Sequence, residues 1–311
     1  MAIGIAATGV MGLALETTAG TFVAPTKWVP IRSESLSTTQ ALTYRRNIKG
    51  IADPTTPLAG NLTSEGDIEF EASPDVLPYF FRAMRTSEAK TGSGDPYQYV
   101  YTPTHGASST STLSLYVQRN GTNFAYLGVT VGKLSFTIND GILVGTASVG
   151  ALSEATQSST SPSYSNNNPF ATGNYTVEVP NSSSITDVDN FTFDIEEGLS
   201  SNHRLNGSQN AASITLGERT VSSSLERDFE GRTNFDSFKA ATATSLTVIC
   251  TYSGGNRYLK LEMPVVTMES YEVNLASQGE LVRASVNYTG SYSTSDTFAY
   301  RATVKTDENI T

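Results

Sequence analysis

The sequence predicts an all-β fold with a minor helical component, and three observations carry that prediction. Apolar and polar residues alternate with period two in one run after another, the pattern of half-buried strands. Ser and Thr make up 79 of the 311 residues, Tyr and Phe add 15 and 13, and only 16% are charged, a profile that suits pleated sheets rather than helices. Between the runs lie Gly- and Asn-rich steps, which tolerate the positive φ of tight hairpins.

The elements follow in chain order. Residues 1–15 are uncharged, lack a positive leader region and are too short to span a bilayer, so they read as an ordered or semi-ordered arm of a soluble, cytoplasmically made chain. Leu62, Ser64, Gly66, Ile68 and Phe70 alternate with Thr63, Glu65, Asp67, Glu69 and Glu71, which gives one strand an apolar face and an acidic face. Ser73-Pro74-Asp75 ahead of Val76, Leu77, Phe80, Phe81 and Met84 predicts a capped amphipathic helix with proline at its first position and an acid in its first turn. Residues 86–96 are rich in breakers and read as a long surface loop before Tyr97. Leu113, Leu115 and Val117, then Leu134, Phe136 and Ile138, predict further strands, with Asn120-Gly121 as a hairpin turn. Residues 153–184, dense in Ser, Thr, Asn and Pro, read as a linker or surface excursion holding a strand-like Tyr175-Thr-Val-Glu-Val179. Strands recur at Phe191, Phe193 and Ile195, at Leu246, Val248 and Cys250, and at Leu259, Leu261 and Met263, the last two joined through Ser253-Gly254-Gly255-Asn256. Thr233-Asn234 before Phe235, Phe238 and Ala241 predicts a second short helix.

The two helices each follow an acidic strand, and that parallel points to a duplication. One constant offset places Glu69 on Glu226, Glu71 on Asp228, Phe81 on Phe238, Arg82 on Lys239 and Ala83 on Ala240. A Leu-rich hairpin follows each helix, and the last run begins Gly141-Ile-Leu-Val144 in one half and Gly279-Glu-Leu-Val282 in the other.

The charge balance excludes a basic nucleic-acid clamp. Twenty Lys and Arg against 30 Asp and Glu leave a net charge of −10, whereas tight phosphate binding needs clustered cations. One cysteine, Cys250, excludes an internal disulfide and reads as a buried small residue. His105 and His203 have no ligand spacing. Gly128-Val-Thr-Val-Gly132-Lys133-Leu134 is one residue short of a phosphate loop and carries Leu where the hydroxyl belongs. Asp187, Asp189, Asp194, Glu196 and Glu197 lack the glycine that a calcium loop needs. No catalytic residue, metal or cofactor is therefore expected. The acidic strand face reads as a solvated surface or as the lining of a passage for a polyanion that repulsion keeps from sticking.

The opening Leu15-Glu16-Thr-Thr-Ala-Gly-Thr-Phe22-Val-Ala-Pro-Thr-Lys-Trp28-Val-Pro-Ile31-Arg-Ser-Glu-Ser-Leu36 resembles the start of the tail tube (major tail) proteins of long-tailed bacteriophages. Gly60-Asn-Leu-Thr-Ser-Glu65-Gly-Asp67-Ile-Glu69-Phe-Glu71, Gly141-Ile-Leu-Val144 and Leu261-Glu-Met-Pro-Val-Val266 are similar to the same family, so the resemblance spans nearly the whole chain. It implies β-sandwich tube domains, each with a short flanking helix, whose hairpins join neighbours into a closed ring barrel. It implies rings that stack around a tape measure protein, meet tail tip and terminator proteins, and let viral DNA pass without specific binding, in a virion tail assembled in the host cytoplasm and without a membrane partner. The organisation expected is an arm at 1–30, tube domain one at 31–152, the excursion at 153–184, tube domain two at 185–292 and a tail at 293–311. Three duplicated chains would complete a ring, with six as the alternative. Glu65, Asp67, Glu69, Glu71, Glu226 and Asp228 are the expected lumen acids, and Leu15, Glu16, Phe22 and Trp28 the expected contacts between rings. The competing classes are a secreted β-sandwich adhesin or carbohydrate-binding module, which would want an export signal and more than the single Trp28, and a glycosidase, which would want a cleft with perturbed acids.

Overall fold

The computed structural model describes residues 8–53, 55–93, 96–109, 111–165, 168–171, 173–252, 256–275 and 281–310, with the side chain of Asn274 outside that set. Its strands and helices fall into two series with one plan. The first holds β1 (Val10–Leu15), β2 (Lys27–Val29), β3 (Ile31–Glu34), β4 (Ser37–Thr43), β5 (Leu58–Glu71), α1 (Leu77–Arg82), β6 (Thr86–Thr91), β7 (Tyr97–Pro103), β8 (Leu113–Arg119), β9 (Thr122–Asn139), β10 (Ile142–Ala151) and β11 (Ser153–Thr156). The second holds β12 (Tyr175–Glu178), β13 (Ser184–Ile185), β14 (Val188–Asn202), β15 (Ser213–Asp228), α2 (Thr233–Lys239), β16 (Thr244–Thr251), β17 (Tyr258–Asn274), β18 (Arg283–Gly290) and β19 (Arg301–Thr306).

One antiparallel sheet runs β4–β5–β10–β9–β14–β15–β18–β17. The long strands β9 and β17 belong to this sheet with their C-terminal halves only. Their N-terminal halves turn into a second layer, where β9 pairs with β8 and β11, and β17 pairs with β16 and β19. A β1–β2 hairpin extends β8, a β12–β13 hairpin extends β16, and the β6–β7 hairpin adds to β19. One apolar cluster fills the sandwich. In it Phe70 stacks on Phe80 at 4.4 Å, and Gly145 is required because a Cβ there would stand 2.6 Å from the Phe70 ring.

The two series share their ladder registers. Ser37↔Glu65, Gln40↔Leu62, Leu42↔Ala59 and Thr43↔Leu58 reappear as Asp194↔Ser222, Glu197↔Arg219, Leu199↔Leu216 and Ser200↔Thr215, with a bulge at the same step. Every one of these matches keeps the offset that carries Glu69 onto Glu226. The bulge that follows Ser148↔Lys133 between β10 and β9 reappears after Asn287↔Ser270 between β18 and β17. Among the described residues the sheet stays open within one chain, for β4 pairs only with β5, and β17 beyond Val266 only with β18.

Several local expectations are corrected. Residues 86–96 hold β6, a polar strand that takes its order from pairing with β7. Within the expected arm, β1 buries Met11, Leu13 and Ala14 fully and pairs with β2 and β8, and the expected tail contains β19. Helix α1 starts after Val76, with Pro78 in its first turn and no acid there. No residue of α2 is buried. Other expectations hold: the Asn120-Gly121 turn forms with φ of 47° and 76°, Cys250 is buried, and Gly128 to Leu134 lie within β9. Ser253, Gly254 and Gly255 of the expected turn, and Gly279 and Glu280 of the last run, lie outside the described residues.

Asp75 misses its place in the helix because it faces the core. Its carboxylate lies 2.6 Å from the ammonium of Lys27, which also holds Glu308 at 2.8 Å, so strand β2, the approach to α1 and the C-terminal segment meet at one charge cluster. Hydroxyls of Ser73 and Ser165 donate to Asp75. Burial alone would raise the Asp75 pKa, but the Lys27 charge and these hydrogen bonds outweigh it and hold it below the usual range. Burial would likewise lower Lys27, yet Asp75 and Glu308 hold it above its usual value. A depressed carboxyl stabilises the fold above its unfolded pKa of about 4, and that contribution is lost as pH falls through the lower folded value. Asp75→Asn should therefore cost about 3 kcal/mol at neutral pH, since it leaves the buried Lys27 ammonium with Glu308 alone, and should flatten the loss of stability below pH ~4. Urea melts from pH 3 to 8 check both; an unchanged acid limb would count against the assignment.

Candidate functional site

In an antiparallel ladder, residues directly opposite each other share a face, so the register decides what each side of the eight-stranded sheet presents. On one side Ile68, Phe70, Leu134, Phe136, Phe193, Ile195, Leu225 and Val286 are buried in the sandwich. The other side is polar apart from Val144 and Gly150 of β10. Glu65, Asp67, Glu69 and Glu71 of β5 stand beside Gly150, Ser148, Thr146 and Val144 of β10. Next come Lys133, Ser135 and Thr137 of β9, then Glu196, Asp194 and Thr192 of β14. Ser222, Ser224 and Glu226 of β15 follow, and Thr289, Asn287 and Ser285 of β18, with Glu272 of β17 at the far end.

Glu65, Asp67 and Glu226 are exposed, whereas Glu69, Glu71 and Asp228 are half-buried on the same side. The structure thus gathers all six acids marked in the sequence onto one face. Those of β5 and those of β15 are four strand spacings apart, about 19 Å. Few cations offset them: Arg32 lies 3.6 Å from Glu71, Lys133 3.3 Å from Glu196, and Arg283 3.8 Å from Glu226. Hydroxyls also bond to the acids of this face, as where Ser33 donates to Glu69 at 3.1 Å and Ser135 to Asp194. Asp194, Glu196 and Glu272 were missed as members of this face. Their signal was the same alternation, with Asp194 and Glu196 interleaved with Phe193 and Ile195.

Glu197, next in sequence to Glu196, points to the opposite side and is 1% exposed. Arg219 meets it at 2.5 Å and Arg85 at 3.5 Å, and the backbone N–H of Arg85 donates to its other oxygen. The two guanidiniums also donate to the carbonyls of Gly106, Leu216, Gly217, Arg85 and Thr104. This cluster ties β14 and β15 to the loop after α1 and so fixes one half of the polar face against the other. Asp187, Asp194, Glu196 and Glu197 do not converge, because Asp187 pairs with Arg227 at 2.5 Å and Glu197 faces the core. Among the described residues no His, Cys, Asp and Glu cluster could hold a metal.

The residues expected at contacts between rings are placed as follows. Trp28 is 4% exposed and meets Tyr116 edge-on at 5.8 Å. The Glu16 carboxylate accepts from Thr112, Ser114 and the N–H groups of Gly20 and Gly128 within its own chain. Leu15 and Phe22 are half-buried.

A family model described as phage tail tube protein matches residues 6–303 of the 311. The chain belongs to that family. Comparison with the curated proteins finds no match. As a tail tube protein the chain is a structural component of the virion tail that assembles with itself and with other tail components, and the family is structural rather than enzymatic. The β-rich architecture agrees with the all-β part of the expected fold class, and no helix among the described residues is long and apolar enough to cross a membrane. Membership places the chain in the virion rather than among secreted adhesins.

Proposed function

We propose that three chains close into one ring of the tail tube, that the polar sheet face lines its lumen, and that stacked rings around a tape measure protein form the passage for DNA. Each chain is two tube repeats, taking up the expected duplication, with β1 to β11 as one and β12 to β19 as the other. The observation that carries this is the continuous eight-stranded sheet with a core on one side and an acidic, hydroxyl-rich surface on the other. The size of the ring follows from the strand count. With strands about 4.8 Å apart and tilted about 40°, three chains close a barrel about 48 Å across between backbones and about 40 Å between opposed side chains. That admits a duplex about 20 Å wide with its hydration, whereas six such chains would leave about 95 Å between backbones. On such a wall, carboxylates repel phosphates, and hydroxyls offer bonds no stronger than those of water. Tail tip and terminator proteins would take the two ends, where rings have no neighbour.

Purified chain concentrated until tubes appear in the electron microscope, followed by symmetry analysis of end-on views, tests the reading. The expected result is true threefold symmetry with a pseudo-sixfold wall. Strict sixfold symmetry of whole chains, or the polar face on the outer surface, would overturn it.

A further inference from the structure

The chain contains, between its own halves, a copy of the junction that a ring would need. Strand β14 pairs with β9 over Thr192↔Thr137 to Glu196↔Lys133. The matching ladders put β4 of the first series in the place of β14, and β17 of the second in the place of β9. These are the two strands whose outer edges stay unpaired among the described residues. Ser37 corresponds to Asp194 through the shared ladder, and Glu272 to Ser135, each standing two residues beyond the matching bulge positions Ser270 and Lys133. We infer that β4 of one subunit pairs antiparallel with the outer half of β17 in the next, with Ser37 opposite Glu272 as Asp194 is opposite Ser135 within the chain. The inference rests on the tube reading and gives its ring contact a strand, a direction and a register.

A second observation agrees. Phe136 of β9 is fully buried, but its counterpart Val273 is 36% exposed, and Leu275 beyond it is 86% exposed. Helix α1, which lies against β19 of the other half, buries Leu77, Pro78, Tyr79, Phe80 and Phe81; α2 rests on Tyr271 through Phe235 and Phe238 and has no buried residue. The second half thus has an uncovered apolar margin where the first half is covered by its partner repeat, which is the margin a second copy of this chain would cover. At the opposite edge the Leu36 N–H is held by Glu34, and its carbonyl takes bonds from Arg119 and Tyr126. Charged groups that cap an edge strand discourage stray pairing, and the neighbour's strand replaces them at closure.

Cysteine pairs read the register directly, because opposed residues in an antiparallel pair lie about 4.5–5.5 Å apart, within the span of a disulfide, and the native Cys250 is buried. The full chain carrying Ser37→Cys and Glu272→Cys is assembled into tubes, oxidised and run on a non-reducing gel beside Thr39→Cys with Glu272→Cys. The expected result is a ladder ending at three chains, at least tenfold stronger than for the shifted pair. Tubes that form without this cross-link, or that prefer the shifted pair, overturn the inference while the tube reading stands; a ladder running to six overturns the three-chain ring on which it rests. A chain that forms neither tubes nor cross-links at any concentration overturns both.

Discussion

Substituting Glu197 with alanine is expected to lower the unfolding midpoint by roughly 6–20 °C. The carboxylate is the only acid contacting two buried guanidiniums among the described residues, and Arg85 and Arg219 cannot shed their charge when it goes. Breaking a buried pair by removing one partner costs about 3–5 kcal/mol, because the remaining charge has lost both water and counterion. Against a total stability of about 5–15 kcal/mol that is a large fraction. Glu197→Gln keeps an oxygen acceptor and should fall between alanine and the parent. The adjacent Glu196 supplies the control: its pair with Lys133 lies on the open polar face, where an exposed ion pair contributes about 0–1 kcal/mol, so Glu196→Ala should shift the midpoint by only about 2 °C. Scanning calorimetry of the three variants checks the ranking. Equal losses for Glu196→Ala and Glu197→Ala would mean that the ladder parity separating the two side chains is wrong.

That parity was legible in the sequence, and its consequences were not. Period-two alternation marks Glu65 to Glu71 as one face because the strand repeat is a local property. The offset found from Glu69 and Glu226 recurs in the ladders, although few side chains are shared across it. Long-range charge pairing escaped the local rules. Asp75 carries every sign of a first-turn acid, yet it turns inward to Lys27 on the distant strand β2, because an ion pair with two further hydrogen bonds outweighs a helix-end interaction of about 0.3–1 kcal/mol. Residues 86–91 were missed as a strand for a related reason: Thr-Ser-Glu-Ala-Lys-Thr has little intrinsic β preference and takes its conformation from β7. The terminal segments looked free because β1 and β19 are only six residues each, too short for alternation to stand out, and β8 and β7, which anchor them, are far away in the chain. For the candidate face, the sequence named the acids of β5 and β15 and left out those of β14 and β17, since which strands share a sheet is decided by pairings such as β5 with β10 and β9 with β14, between segments remote in the chain.

Reversing the charge of the polar face is expected to slow DNA passage at least tenfold while leaving the tail intact. Glu65→Lys with Asp67→Lys changes two exposed side chains, so the fold should lose no more than about 1 kcal/mol, the usual range for surface sites. In the proposed ring of three the pair would bring six cations to the lumen, and the next ring six more. Each phosphate neutralised by a lysine releases counterions, and about six to ten such contacts make affinity fall 10³–10⁵-fold between 50 and 200 mM salt. A wall that held DNA this way would act as a brake, strong at low salt and released at high salt. Asp53→Lys with Glu230→Lys makes the same change in net charge at exposed loop positions outside the eight strands, and separates the chemistry of the strand face from overall charge. Virions assembled with each variant are compared for tail length, plaque count and the rate of triggered DNA release at about 50 and 200 mM salt. The face variant should release slowly at low salt and recover at high salt, and the control should match the parent. Equal release by all three, with normal tails, would show that these acids do not meet the DNA.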